Sequence, residues 1–288
     1  MVLQLWRALN RWPWYGRVPL KILFFLVVLF FTLYPKYWLL PRTIARYSDM
    51  NSVLDPSFPE LAPLEEKVRA GLPESADART TLDAVQKAVY QRIPYAWDWE
   101  VWGVCDYLPT VAEVFEKGRE DCDGRAVVAA SLLRRMGFQA DLVSDLLHVW
   151  VSTPAGETMS PTGGEKTFVG TKTGTKPKIS WKLLNNFSRG VSYGISVFPL
   201  LREIILLVTL CALTIQPRSH VWRRVAGCLI LWIALQTLRD AGRPAAVHGE
   251  WKDVLGAWCG AALIIVGGFV LALRARVAPP HSAPSNPE

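Results

Sequence analysis

The stretch GREDCDGRAVVAASLLRRMGFQADLVSDLLHVW, residues 118–150, decides how the rest of the chain is interpreted. Its first half spaces apolar residues three and four apart, which is the period of one helix face. These residues are Ala126, Ala129, Ala130, Leu133 and Met136. Gly137 follows, where a helix commonly ends in a left-handed glycine. Cys122 is therefore predicted at the N-terminus of a helix.

That position suggests chemistry for Cys122. The helix dipole and the free N–H groups of a first turn favour the thiolate, which is the reactive form of cysteine. Residues 138–143 and 146–153 are apolar and predict two strands joined by a turn at Ser144-Asp145, with His148 on the second strand. A thiolate beside a histidine on an adjacent strand is the pair that nucleophilic cysteine catalysis needs.

The residues around this pair resemble the transglutaminase-like cysteine peptidase superfamily. Asp121-Cys122-Asp123-Gly124-Arg125-Ala126 is similar to its Asp-Cys-x-x-x-Ala helix, and His148-Val149-Trp150-Val151 to its histidine strand. The block Trp102-Gly103-Val104-Cys105-Asp106-Tyr107, with Pro109-Thr110, Glu113 and Gly118, resembles the bacterial transglutaminase-like cysteine proteinases. The resemblance covers residues 77–165. It implies an α+β, papain-like domain in which Cys122 is the nucleophile and His148 the base.

Ser160 stands in Ser160-Pro161-Thr162, where the resemblance implies an aspartate that orients the histidine. A three-residue hairpin loop at 154–156 would pair Thr153 with Glu157 and place Ser160 diagonal to His148 on one sheet face. A two-residue loop would reverse that parity, and Glu157, Asp145 and Glu165 are the other candidates. A serine carries no charge, so this site predicts either a weaker base or a domain that has lost catalysis.

Composition divides the chain of 288 residues into soluble and membrane parts, since 51% of it is hydrophobic and it holds 13 tryptophans. The parts are a basic cytoplasmic segment (1–17), a transmembrane anchor (18–40), a transglutaminase-like domain (41–187), a membrane region of about three helices (188–273) and a disordered tail (274–288). The anchor is predicted at Pro19 to Leu40 and the later spans at 197–215, 225–238 and 254–273. No small-x-small cleavage site follows the first apolar run, which favours an uncleaved anchor.

The net charge of +7 comes mainly from basic residues beside the apolar runs. The arginines concerned are Arg7, Arg11, Arg17, Arg218, Arg223, Arg224, Arg274 and Arg276. Positive segments stay in the cytoplasm, so four spans put both termini inside and the Cys122 domain outside, in a periplasm or extracellular space. The lipid bilayer of the plasma (inner) membrane is then a partner. Nucleic acid is not, because no basic helix is interleaved with aromatic residues.

Other motifs are few. The sequence holds no Cys-x-x-Cys pair, so it predicts no zinc ribbon, redox dithiol or other cofactor site. Cys211, Cys228 and Cys259 lie in apolar runs and are predicted to be buried. Gln236, Arg243 and residues 253–260 resemble the VanZ-like membrane family, without its asparagine. A helix packed through Gly256 and Gly260 explains the last segment equally well.

These features together predict a membrane-anchored cysteine peptidase, amidase or acyltransferase acting on a protein or peptide outside the membrane. Cys122 would attack a carbonyl and His148 would act as base and then acid, with the Cys122 N–H, Trp102 or Tyr107 as oxyanion donors. The alternatives are an inactive binding or sensor domain, and a function located in residues 188–273.

Overall fold

The computed structural model describes residues 12–145, 148–160, 166–178, 183–216, 219–243 and 251–272. The helices are α1 (Trp14–Leu33), α2 (Leu40–Ser48), α3 (Leu61–Ala70), α4 (Ala78–Arg92), α5 (Asp98–Val101), α6 (Val111–Lys117), α7 (Cys122–Arg135), α8 (Leu183–Val197), α9 (Leu200–Thr214), α10 (Val221–Ala241) and α11 (Trp251–Ala272). Two short 3-10 helices cover Tyr37–Leu39 and Met50–Val53. The strands are β1 (Asp141–Ser144), β2 (Val149–Thr153), β3 (Gly156–Thr158), β4 (Phe168–Thr171) and β5 (Gly174–Pro177).

Helix α7 is the centre of the soluble core. Every side chain from position 126 to 133 is buried, because α7 packs against α3, α4 and α6 as well as the sheet. Gly137, with φ +94°, follows the helix and confirms the predicted stop. The predicted apolar face of α4 is also confirmed, since Leu82, Val85, Ala88 and Val89 are all buried.

The strands form one antiparallel sheet in the order β3-β2-β1-β4-β5. β1 and β2 pair from Asp141 with Ser152 to Ser144 with Val149. In the next hairpin Thr153 pairs with Gly156, so the loop holds two residues. The predicted three-residue loop, with Thr153 opposite Glu157, was therefore wrong. Two-residue loops are common in hairpins. Gly156, the first residue after this loop, has a positive φ of 132°, a conformation that glycine adopts readily.

The block before α7 is held by local caps and an ion pair. Thr110 caps α6, and its backbone N–H donates to the Glu113 carboxylate at 2.8 Å. Glu113 also accepts from Arg46 at 2.7 Å and from the Tyr107 hydroxyl at 2.8 Å. Gly118 ends α6 in the left-handed region, with φ +69°. These contacts fix the approach of the chain to Cys122.

Three helices, α1, α10 and the Leu255–Ala272 part of α11, are long and apolar enough to cross a membrane. α9 has fifteen residues and meets Gly190–Val197 at a bend of 112°, so the two pieces together make a fourth candidate. The span predicted at 197–215 corresponds to α9, which is shorter, and whether it crosses a membrane stays a prediction. The first helix also begins earlier than predicted and contains Pro19.

Close packing and one ion pair hold the later helices together. A Cβ placed on Gly256 would lie 3.0 Å from Ala241, and one on Gly260 would lie 2.6 Å from Leu238. This confirms the predicted packing through small residues. Arg239 of α10 pairs with the buried Glu203 of α9 and donates to the Phe198 carbonyl at 3.1 Å.

Candidate active site

Cys122 is the first residue of α7, as the sequence predicts. Asp121 caps the helix, and its carboxylate accepts from the Asp123 N–H at 3.2 Å. The Cys122 sulfur accepts a hydrogen bond from the backbone N–H of Val149. This contact exists because the first turn of α7 packs against the beginning of β2.

His148 directly precedes β2 and lies in the turn that leads into it. Its backbone N–H donates to Asp145 Oδ1 at 2.9 Å, and the Asp145 N–H donates to the His148 carbonyl at 3.2 Å. Residues 146 and 147 of the predicted strand lie outside the described residues. Because Val149 contacts the Cys122 sulfur, the turn brings Cys122 and His148 to the same place in the fold.

The state of the thiol differs from the expectation. Burial raises the pKa of the Cys122 thiol well above its usual range, and the negative charge of Asp121 raises it further. The Val149 hydrogen bond lowers the pKa by less than these effects, and Asp98 and Asp106 oppose it. The residue keeps some exposed surface, but its sulfur is densely surrounded by protein.

The predicted resting thiolate was therefore wrong. A helix terminus contributes about 0.3–1 kcal/mol at an exposed position. Removing a thiolate from water beside carboxylates costs more than this.

Four carboxylates lie beside the nucleophile. Single oxygens of Asp98, Glu120, Asp121 and Asp123 all lie within 4.8 Å of one another. Burial raises the pKa of each group, and repulsion by Asp121 adds to this for the other three. The pKa of Glu120 reaches about 8. The cluster thus needs protons or a cation to balance its charge.

The donor set of this cluster fits a hard divalent cation. Calcium binds six to eight oxygens, largely from carboxylates. Asp98 Oδ2 accepts from the Tyr107 N–H at 2.7 Å, while within the described residues its Oδ1 is buried without a hydrogen-bond partner. An orphaned carboxylate oxygen of this kind is suited to an ion. No signal in the sequence indicated the cluster, because Asp98 lies far before the other three carboxylates and no short motif joins them.

Trp102 and Tyr107 do not serve the oxyanion in this structure. The Trp102 indole N–H donates to Glu120, and the Tyr107 hydroxyl donates to Glu113. Both side chains are buried and pack together, with ring centroids 4.5 Å apart. They support the acidic cluster and the α6 cap.

Ser160 is exposed and lies beyond the end of β3. Its hydroxyl is hydrogen-bonded to the Glu157 carboxylate, which also accepts from Trp150 Nε1 at 2.8 Å and pairs with Lys166 at 2.6 Å. Its predicted diagonal position depended on the wrong hairpin register. The role of Ser160 in orienting His148 stays a prediction, and Glu165 lies outside the described residues.

Tyr193 of α8 is a neighbour of the site that the sequence did not indicate. Its ring lies 5.9 Å from the His148 ring, centroid to centroid. Its hydroxyl is hydrogen-bonded to that of Tyr95. The sequence assigned residue 193 to the membrane region, and no local signal connects it with Cys122.

Comparisons of the chain with protein-family models, curated proteins and solved structures give no match. The resemblances to transglutaminase-like and VanZ-like proteins thus remain predictions. The function has to be inferred from the residues of the site and their contacts.

Proposed function

We propose that this chain is a membrane-anchored cysteine hydrolase or acyltransferase of the transglutaminase-like type, acting on a protein or peptide outside the membrane. One observation carries the proposal. The Cys122 sulfur, in the first turn of α7, accepts from the N–H of the residue that follows His148. This contact supports the pairing of Cys122 as nucleophile with His148 as base, because His148 directly precedes Val149 in the chain.

The raised pKa of Cys122 determines how the reaction begins. His148 removes the thiol proton as sulfur attacks a carbonyl carbon, so the nucleophile forms during attack. Sulfur and carbon then share a bond in a tetrahedral oxyanion, which accepts from the Cys122 N–H. The C–N bond breaks as His148 returns the proton to the leaving amine. Water or an amine, deprotonated by His148, then attacks the thioester and releases Cys122 as the thiol.

A thiol-directed probe tests this assignment. Iodoacetamide added to the full chain in lipid vesicles should alkylate Cys122 slowly, because His148 removes the thiol proton as the sulfur attacks, and Cys122→Ala should lose both that labelling and turnover. Cys105→Ala is the matched control, because burial also raises the pKa of the Cys105 thiol, to about 12. Full turnover in Cys122→Ala, or loss in Cys105→Ala instead, would remove Cys122 from the role.

A non-catalytic sensor domain is the second candidate. The observation that favours it is the acidic cluster, which holds the thiol protonated and has the oxygen donors for a cation. If the domain is such a sensor, iodoacetamide should leave Cys122 unlabelled in the folded protein while the cation still stabilises the domain.

A further inference from the structure

The loop at positions 103–106 attaches the soluble domain to the ends of two apolar helices. The Cys105 N–H donates to the carbonyl of Leu33, the last residue of α1, at 3.0 Å. Both terminal nitrogens of Arg202, in the first turn of α9, donate to the Gly103 carbonyl at 3.2 Å. The Tyr34 hydroxyl donates to the Asp106 carbonyl at 3.1 Å.

The same loop reaches the nucleophile. The Asp106 carboxylate, which accepts from the Tyr47 hydroxyl at 3.1 Å, is among the charges that raise the pKa of Cys122. Asp98, beginning the short helix just before this loop, is another. The segment before Asp98 also contacts the approach to Cys122, since the Ala96 N–H donates to the Glu120 carbonyl at 3.2 Å. The chain from residue 96 to residue 106 thus connects the start of α7 with the ends of α1 and α9.

Aromatic side chains line the membrane side of the site. Trp97 and Trp99 stack with centroids 5.0 Å apart. Trp97 lies 6.0 Å from Tyr193 of α8, and Trp99 lies 6.1 Å from Phe198 at the α8–α9 bend. Trp and Tyr concentrate at the interface between lipid and water. Aromatic side chains of this kind beside Cys122 are what a site at that interface would carry.

We propose that the substrate of Cys122 is a polypeptide segment tethered in the same bilayer, and that Tyr193 forms the membrane-side wall against which it lies. This inference rests on the proposed function and specifies its substrate class. A segment that leaves the membrane beside α8 has only a short distance to cover to the sulfur. A freely soluble protein approaching from that side meets helix α8 instead. Tyr193 touches His148 and so helps determine which chains approach the site.

A chemical ruler tests the distance. The full chain in phosphatidylcholine–phosphatidylglycerol vesicles is treated with iodoacetamide joined to a lipid anchor by an extended Gly-Ser spacer. Spacers of about two and about twelve residues reach roughly 7 Å and 40 Å. Soluble iodoacetamide is the reference, and mass spectrometry identifies the labelled cysteine. The short probe should label Cys122 at a rate close to that of the long probe.

A control thiol is placed at the opposite end of α7 from Cys122. Glu66→Cys, placed in a Cys122→Ala chain, introduces an exposed cysteine on α3. The neighbouring Glu65 pairs with Arg135, the last residue of α7, so this thiol is about 20 Å from position 122 along that helix. Soluble iodoacetamide and the long probe should label it and the short probe should not.

The outcomes separate the two proposals. Labelling of Cys122 by soluble iodoacetamide and the long probe, without labelling by the short one, overturns the tethered substrate and leaves the nucleophile in place. Equal short-probe labelling of Cys122 and Glu66→Cys also overturns it. A folded chain in which soluble iodoacetamide leaves Cys122 unmodified overturns the proposed function as well.

Variants of Tyr193 test the wall. Tyr193→Ala should reduce the preference for the short probe over soluble iodoacetamide by about two- to tenfold, the range of one aromatic contact. Tyr193→Phe keeps the ring and should keep the preference. Val191→Ala, at an exposed position of α8, should leave it unchanged. An unchanged preference in Tyr193→Ala would remove Tyr193 from this role.

Discussion

The two ends of α7 carry acidic side chains in opposite circumstances. At the C-terminal end, Arg134 pairs with Asp141 at 3.0 Å and Arg135 with Glu65 at 2.8 Å. Hydrogen bonds from Arg69 and Arg135 lower the pKa of Glu65. At the N-terminal end, burial and mutual repulsion raise the pKa of the clustered carboxylates. Charge is balanced where α7 serves the fold and unbalanced where it reaches Cys122. Perturbed groups of this kind concentrate at functional sites.

The largest expected effect is on the free energy of unfolding. It should come from a packing residue near the C-terminal end of α7 and not from Cys122 at its N-terminal end. Leu133 is fully buried, so Leu133→Ala should lower the free energy of unfolding by about 2–5 kcal/mol. Cys122→Ala should change stability little, because it removes one atom at a helix start. Thermal unfolding of both variants, followed with thiol labelling of Leu133→Ala, measures the difference. Equal destabilisation by the two changes would make Cys122 a packing residue.

The acidic end should respond to calcium. A cation that binds the folded state alone stabilises it by about 2.7 kcal/mol at a hundredfold excess over its Kd. Added calcium should therefore raise the Tm, and chelation should reverse the rise. Asp98→Asn should lose much of this response, yet be more stable than the wild type in chelator because it replaces a buried group that is costly to ionise beside other carboxylates. Glu65→Gln should keep the full response. A calcium response that survives in Asp98→Asn would place the ion elsewhere.

The pH dependence of Glu113 provides a paired carboxylate for comparison. Burial alone would raise its pKa, but hydrogen bonds from Arg46, Thr110 and Tyr107 outweigh it and the net shift is downward. A lowered folded-state pKa contributes stability that is fully present above the unfolded-state pKa of about 4.3. This stability is lost as the pH falls through the folded-state pKa. Glu113→Gln should flatten this part of the acid unfolding curve and cost about 1–2 kcal/mol at neutral pH.

A steep acid transition that is unchanged in Glu113→Gln would assign the titration to another carboxylate. Arg46→Ala is a second variant for the same pair. It should lose the same acid-dependent stability, because it removes the guanidinium that donates to the Glu113 carboxylate.

The smallest expected effect is at the C-terminal end of α7. Arg135→Gln breaks a pair that is partly open to solvent, so the free energy of unfolding should fall by about 1 kcal/mol or less. Added salt should reduce the difference between wild type and variant. A loss much larger than this would mean that the pair is shielded from water in solution.

Local sequence signals predicted several elements correctly. The face of α4, the stop at Gly137 and the start of α7 at Cys122 each depend on residues a few positions apart. Helix period, caps and left-handed glycines act over that range, so one sequence carries enough information for them. Long apolar runs likewise predicted helices capable of crossing a membrane.

The site required the tertiary structure. Desolvation and Coulomb interactions act through space, so the pKa of Cys122 depends on Asp98 and Asp106, which arrive from an earlier loop. The same holds for Tyr193, which a distant helix brings against His148. The position of Ser160 followed from a hairpin register that one residue of loop length reverses. The sequence alone determined where α7 begins and ends, because caps and helix period act locally, and only the packing of the elements decided the charge around the nucleophile.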